Sequence, residues 1–203
     1  MSAVIYFVKG MMEAKMRVSR EKAIENRERI VETASRLFRE KGVDGVGIDA
    51  IMSGAGLTHG GFYGHFASKD DLAAEAVTRA LARGVEKQSH YTSLSDLVAG
   101  YLSERHLADR ADGCAIAALG ADMARQRGGV RRRLTTHVRA QLERFTRLLR
   151  NGPTALRRRR AIAALAGMVG ALTLARAVDD PALSTEILAA ARDAFGKALR
   201  TQG

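Results

Sequence analysis

Between Ser19 and Lys41 the apolar positions are Ala23, Ile24, Ile30, Val31, Ala34, Leu37 and Phe38. The later ones step by three and four, the period of one helix face. Ser19 or a neighbour supplies a start cap and Gly42 a left-handed stop, so the pattern predicts a helix over 19–41. "GVDGVG" reads as a turn. Ile48, Ile51, Met52 and Ala55 mark one face of a short second helix that Gly56 ends. Thr58 suits the N-cap of a third short helix carrying Phe62, Tyr63 and Phe66, and Ser68-Lys-Asp-Asp71 opens a fourth in the manner of a capping box. Longer helices are expected over about 69–90, 94–107, 114–125, 130–150, 154–178 and 182–200, separated by "ADRADG", "RGG", "NGP" and "DDP". Proline near the start of the last two fits its tolerance in a first turn. No segment alternates apolar and polar residues with period two. The expected fold is all-α, and its front end has the outline of a helix-turn-helix.

Composition agrees. Of 203 residues, 46% are apolar and 27% charged, enough to bury a core in one domain or in a small domain fused to a larger one. The single Cys114 excludes an internal disulfide and fits a reducing compartment. The opening "MSAVIYFVKGMM" lacks a basic lead-in and a cleavage site, and its apolar run is far too short to span a bilayer. Neither a signal peptide nor a membrane partner is expected, and the first 19 residues read as a flexible arm.

Charge is unevenly placed. Residues 13–75 hold ten Lys/Arg against eleven Asp/Glu, whereas residues 76–203 hold twenty-two against eleven. The excess of the net +11 therefore lies in the second part, in "RGGVRRR" and "LRRRR". Such runs suit a nucleic-acid or membrane footprint, or a solvated Arg-rich face, and the second is the usual case.

The segment "GLTHGGFYGHFASKDDL", residues 56–72, is the most distinctive in the chain. It is not a phosphate loop, because Gly-x4-Gly-Lys-Ser/Thr is missing and no strand precedes it. It is a poor metal site, since His59 and His65 fall on opposite sides of a helix and no Cys joins them. No metal or cofactor is expected. DNA binding suits each residue type. Thr58, Tyr63 and His65 offer hydrogen bonds to phosphate, Gly60 and Gly61 let backbone N–H groups approach it, and Lys69 adds a charge. Phe62 and Phe66 would turn inward onto Ile48, Ile51 and Leu37. A glycine-rich turn whose aromatics serve only as core fits the same residues equally well.

The segment "IVETASRLFREKGVDGVGIDAIMSGAGLTHGGFYGHFASKDDL" resembles the tetracycline-repressor (TetR) family of bacterial transcriptional regulators. Leu57, Thr58, Gly60, Phe62, Tyr63, His65, Phe66, Ser68, Lys69, Asp70 and Leu72 fit the family's usual run, and the likeness extends over residues 24–84. The resemblance implies a DNA-binding domain over 20–68 with its helix-turn-helix at 47–66, the third helix entering the major groove. It implies DNA contacts by Thr58, His59, Gly60, Gly61, Tyr63, Gly64, His65 and Lys69. Ahead of them Lys15, Arg17, Arg20 and Lys22 suit either a basic arm that helps hold the duplex or a solvated tail. Gly47 departs from the family's Ser or Thr, and Gly61 and Gly64 replace larger side chains, which shifts sequence readout toward His59, Tyr63 and residues of the second helix.

The resemblance also implies that residues 69–203 bind a small-molecule effector and form a homodimer. Residues proposed to line the effector pocket are Tyr101, His106, Cys114, Met123, Phe145 and Met168, with Leu102, Leu119, Val138 and Leu142 around them. Each is also an ordinary core residue type. Cys114 starts a helix, where a thiol is activated, but the following "AIAAL" would bury and silence it. Small residues recur at Ala163, Gly167 and Ala171, a stripe that suits either a dimer contact or internal packing. The expected function is a cytoplasmic, nucleoid-associated repressor that leaves its double-stranded operator when the effector binds. An activator of the same fold is the alternative. A helical enzyme is disfavoured, because the five histidines form no ligand-spaced cluster and no carboxylate pair is spaced for catalysis.

Overall fold

The computed structural model describes the backbone over residues 2–126 and 129–200, and side chains over 20–126 and 129–196. Helix α1 spans Ser2–Lys41, α2 Ile48–Gly54, and a short 3₁₀ helix His59–Gly64. Then come α3 (Lys69–Gln88), α4 (Leu94–Tyr101), α5 (Glu104–Ala108), α6 (Ala115–Arg125), α7 (Gly129–Leu148), α8 (Thr154–Ala177) and α9 (Pro181–Arg200). Among the described residues there is no strand.

Local chemistry explains most boundaries. Gly42 and Gly56 take positive φ values of 75° and 68°, which glycine adopts without strain, and they end α1 and α2. Ser68 Oγ accepts the Asp71 N–H at 3.1 Å and caps α3. Gly47 caps α2 with no side-chain hydrogen bond.

Three expectations need correction. The flexible arm over 1–19 is helical from Ser2 onward, because its residues include no proline to break the backbone ladder. Lys15 and Arg17 lie outside the residues whose side chains are described. The helix expected over 94–107 is two helices. Ser103 breaks it by accepting the His106 N–H and donating to the Gly100 carbonyl. The third helix of the helix-turn-helix is 3₁₀, closed by Gly61 N–H to Thr58 O at 3.0 Å and His65 N–H to Phe62 O at 2.9 Å. Gly60, Gly61 and Gly64 occupy half of it, and glycine is a poor α-helix former. Thr58 flanks it without a side-chain cap bond.

Two buried clusters hold the chain together. The first gathers Ile30, Ala34 and Phe38 of α1, Ile51 and Met52 of α2, Phe62, Phe66, the face of α3 from Leu72 to Leu81, and Leu119 and Met123 of α6. This core continues past residue 68, so α3 and α6 brace the front helices from behind. The second gathers Leu97 and Tyr101 of α4, Phe145 of α7, Met168 and Leu172 of α8, and Leu188 of α9. Ion pairs stitch α1 to α3: Arg27–Glu75, Arg79–Glu28 and Arg83–Glu32, each at 2.5 Å. All are partly exposed, so each contributes only a few tenths of a kcal/mol, about 0.2–1 at most. They set the register of two helices that the apolar core holds.

Candidate nucleic-acid interface

The 3₁₀ helix divides cleanly by side. Phe62 is 0% exposed and Phe66 4%, both over Ile51 and Met52, with Leu37 and Ile48 packed at the edge. Their burial fastens the element, contributing roughly 1.5–3 kcal/mol per ring. The Arg27 guanidinium lies over the Phe66 ring at 4.5 Å and ties the turn to α1. On the other side Thr58, His59, Gly60, Gly61, Tyr63 and Gly64 are exposed, while His65 and Lys69 are half-buried. Tyr63 is 67% exposed, with its ring edge against Phe62 at 5.2 Å.

The glycines carry further information. A Cβ on Gly60 or Gly64 would meet nothing within 4 Å, and on Gly61 only the Met52 methyl at an ordinary 3.6 Å. None of the three has a positive φ. Neither packing nor backbone geometry of the chain itself calls for glycine there. The bare backbone is open outward, as close approach by another molecule would require.

Asp49, at the start of α2, is a member of this surface that the sequence pointed to only as part of the second helix, without naming it. Its carboxylate pairs with His59 Nδ1. The two residues are ten apart, so only the turn geometry joins them. Arg29 likewise donates to the Ala55 carbonyl and closes the turn that Gly56 begins.

Behind the front unit, the proposed effector residues separate. Tyr101, Cys114, Phe145 and Met168 line one cavity, together with Ala80, Leu81 and Gly84 of α3 and His137 and Gln141 of α7. Its enclosed space is about 30 Å³, and its void about 400 Å³ when the mouth open to solvent is counted. His106 does not line it. Its Nδ1–H donates to the Tyr101 carbonyl at 2.7 Å and its Nε2 accepts the Cys114 N–H at 3.0 Å, which fixes the neutral tautomer. Burial, the main cause, keeps this imidazole below its ordinary pKa. Met123 is also displaced, into the first core beside α1 and α3. Leu119 lies with it, whereas Leu102, Leu142 and Val138 belong to the second cluster.

The small-residue stripe packs within the chain. A Cβ on Gly167 would stand 1.9 Å from the Phe195 ring of α9, and Ala171 is buried in the second cluster. Of the three proposed contact residues only Ala163 is exposed. The outward apolar row of α8 is instead Ile162, Ala166, Gly170 and Leu174, one turn apart.

The loop joining α5 to α6 is a junction. Arg176 of α8 donates to the carbonyls of His106, Leu107 and Asp109, and Lys87 of α3 donates to the Asp112 carbonyl at 2.8 Å. Arg39 of α1, with a side chain only 1% exposed, reaches Asp112 Oδ1 at 3.3 Å.

Comparison with known proteins fits this geometry. The model of bacterial regulatory proteins of the tetR family matches residues 30–76, which hold α2, the 3₁₀ helix and the facing parts of α1 and α3. Residues 30–76 are thus similar to the DNA-binding part of TetR family regulators. A stretch of 62 residues is 42% identical to the HTH-type transcriptional regulator SAB2452 of Staphylococcus aureus, covering 30% of this chain and 34% of that protein. A stretch of 59 residues is 39% identical to the HTH-type transcriptional regulator AcrR of Shigella flexneri, covering 29% and 27%. The chain thus spans about a third of the length of the curated relatives it matches. Over the whole fold, a TetR transcriptional regulator from Chloroflexus aurantiacus superposes with a TM-score of 0.73 at 26% identity, covering 90% of this chain and 98% of that one. The TetR family regulator from Cytophaga hutchinsonii gives 0.72 at 18% identity with the same coverage. The fold likeness therefore covers most of the chain, while sequence likeness concentrates in the helix-turn-helix.

Proposed function

We propose that this protein is a DNA-binding transcriptional regulator of the TetR family, acting as a homodimeric repressor that a small molecule releases from its operator. The observation that carries the reading is the outward face of the 3₁₀ helix. Three glycines without an internal reason stand beside an exposed tyrosine and two histidines, fastened from beneath by two buried phenylalanines. Phosphate oxygens accept from Tyr63 and His65, and the bare backbone admits the duplex.

A dimer supplies two such faces for two half-sites. The apolar row of Ile162, Ala166, Gly170 and Leu174 is the surface we assign to the second copy. Ile162 and Leu174 are 45% and 58% exposed, and a Cβ on Gly170 would meet nothing within 4 Å. By length and composition α8 is apolar enough to cross a bilayer. Its inner face, with Ala161, Ala164, Met168, Leu172 and Ala175 buried, accounts for much of that character, and the outer row accounts for more.

The test uses glycine replacements that the fold has room for. A duplex selected from a random pool by the wild-type protein serves as probe. Gly60→Val and Gly64→Leu should melt like wild type and bind the duplex at least about tenfold more weakly, a loss of ~1.4 kcal/mol. Wild-type affinity in both variants would sink the assignment. Ile162→Asp combined with Leu174→Asp should sediment as a folded monomer. A persistent dimer would move the interface elsewhere.

A further inference from the structure

Two polar atoms in the cavity behind α3 lack partners. Tyr101 Oη and Gln141 Oε1 are both buried, and neither has an oxygen or nitrogen hydrogen-bond partner, the phenol having only the weakly accepting Cys114 thiol beside it. Both residues are 5% exposed and both line the cavity. The amide nitrogen of Gln141 is engaged, donating to Gln88 Oε1 at 3.4 Å, so its oxygen is the free end. Buried polar groups without partners are costly and uncommon, and a pair sharing one cavity marks a place for a molecule that satisfies both.

The wall restricts what that molecule is. No Lys, Arg, Asp or Glu lines the cavity. Burial keeps the His137 imidazole below its ordinary pKa and hence neutral at neutral pH. Burial, with the neighbouring Cys114 thiol adding to it, holds the Tyr101 phenol well above its usual range, so it stays an O–H donor. A charged ligand would lose its hydration here without a counter-charge. The remaining surface is apolar: Leu81, Ile116, Phe145, Leu165 and Met168.

We infer that the cavity binds a small uncharged ring compound bearing a hydroxyl group, of the phenol class, whose oxygen accepts from Tyr101 and whose proton goes to Gln141. A hydroxyl supplies both the acceptor that Tyr101 lacks and the donor that Gln141 lacks, and the ring suits the apolar wall. The enclosed 30 Å³ holds one or two waters, so a ring must also use the mouth and move the pliant Met168 and Leu165. The inference rests on the regulator reading for its biological sense, but its chemistry is independent of it.

The experiment is calorimetric titration of the full chain with phenol, toluene and benzoate, repeated on Tyr101→Phe and Gln141→Leu. Phenol should bind wild type more tightly than toluene or benzoate. Tyr101→Phe should weaken phenol by about five- to tenfold, the size of one hydrogen bond, and leave toluene unchanged. Gln141→Leu should weaken phenol likewise. The inference is overturned if phenol does not bind, which would leave water as the natural occupant. It is overturned as well if benzoate binds more tightly, or if both variants bind phenol like wild type. Release of the selected duplex is read separately. Phenol binding without release supports the pocket assignment and counts against small-molecule release of the repressor. Release by benzoate but not by phenol overturns the pocket assignment and leaves the regulator reading in place.

Discussion

Asp112 Oδ1 stands 3.3 Å from the buried guanidinium of Arg39, so the loop between α5 and α6 is tied directly to the helix that leads into the helix-turn-helix. Arg36 and Arg83 face the same carboxylate at 3.8 and 3.7 Å. Arg176 holds the other side of that loop. The rear bundle and the front unit therefore share one charged joint.

Removing the carboxylate strands the charge. Asp112→Ala should destabilise the protein by about 2–3 kcal/mol, below the range for a wholly buried pair because Asp112 is 30% exposed. Arg39→Met in the same chain should recover most of that loss. Chemical denaturation of the two variants measures both numbers, and an unchanged midpoint in Asp112→Ala would show that the pair is idle.

Tyr63→Phe removes one exposed hydroxyl and nothing from the core. The expected outcome is unchanged stability and a loss of about 1 kcal/mol in binding to selected and random duplexes alike. His65→Ala should behave similarly. Fluorescence anisotropy on the two duplexes distinguishes this uniform loss from a change of preference.

Asp49 places a negative charge beside the ring expected to read bases. Asp49→Asn should raise affinity for random duplex, since one repulsion is lost, and reduce discrimination among operator variants, since His59 is no longer held. Titrations at several salt concentrations give both quantities. Equal discrimination in the variant would mean that His59 is not oriented by Asp49.

Gly167 faces Phe195 within the same chain. Gly167→Ala should destabilise the fold by about 1–3 kcal/mol, because the new Cβ must displace that ring. Phe195→Leu should restore part of the loss. A thermal melt of the single and double variants decides it, whereas a lower oligomeric state at unchanged stability would point to the dimer contact instead.

His106 gives a pH dependence. Its folded pKa lies below the ordinary imidazole value of about 6.5. Between the two values the unfolded chain binds the proton and the folded chain does not, so stability falls as pH drops below about 6.5. His106→Asn should flatten the slope of melting temperature against pH there. The neutral His137 contributes a slope of the same sign, so part of the dependence should survive.

What was legible in the sequence is what short-range chemistry decides. Gly42, Gly56 and Ser68 end and begin helices through bonds to residues within four positions, and apolar spacing marks the core face of α1. The 3₁₀ form of His59–Gly64 was half visible, because the glycines weaken an α-helix but do not name its replacement. Contacts across the fold were not visible. Arg39 and Asp112 lie 73 positions apart, and the loop "ADRADG" reads as a simple break. Gly167 looked like an intermolecular contact because a small residue signals close approach without saying which surface approaches. His106 and Met123 share residue types with a pocket wall, yet one is consumed by two backbone bonds and the other by the front core.

The separation of sides in the 3₁₀ helix bears on how such a protein changes over generations. Thr58, Gly60 and Gly64 stand clear of the fold, and the buried Phe62 and Phe66 carry most of the hold on the element. Mutational freedom is thus concentrated on the face proposed to meet DNA, and drift at these positions costs the folded state little. Under that proposal a descendant can alter its DNA binding by substitutions that selection for stability does not see, while any change at the two phenylalanines is purged first.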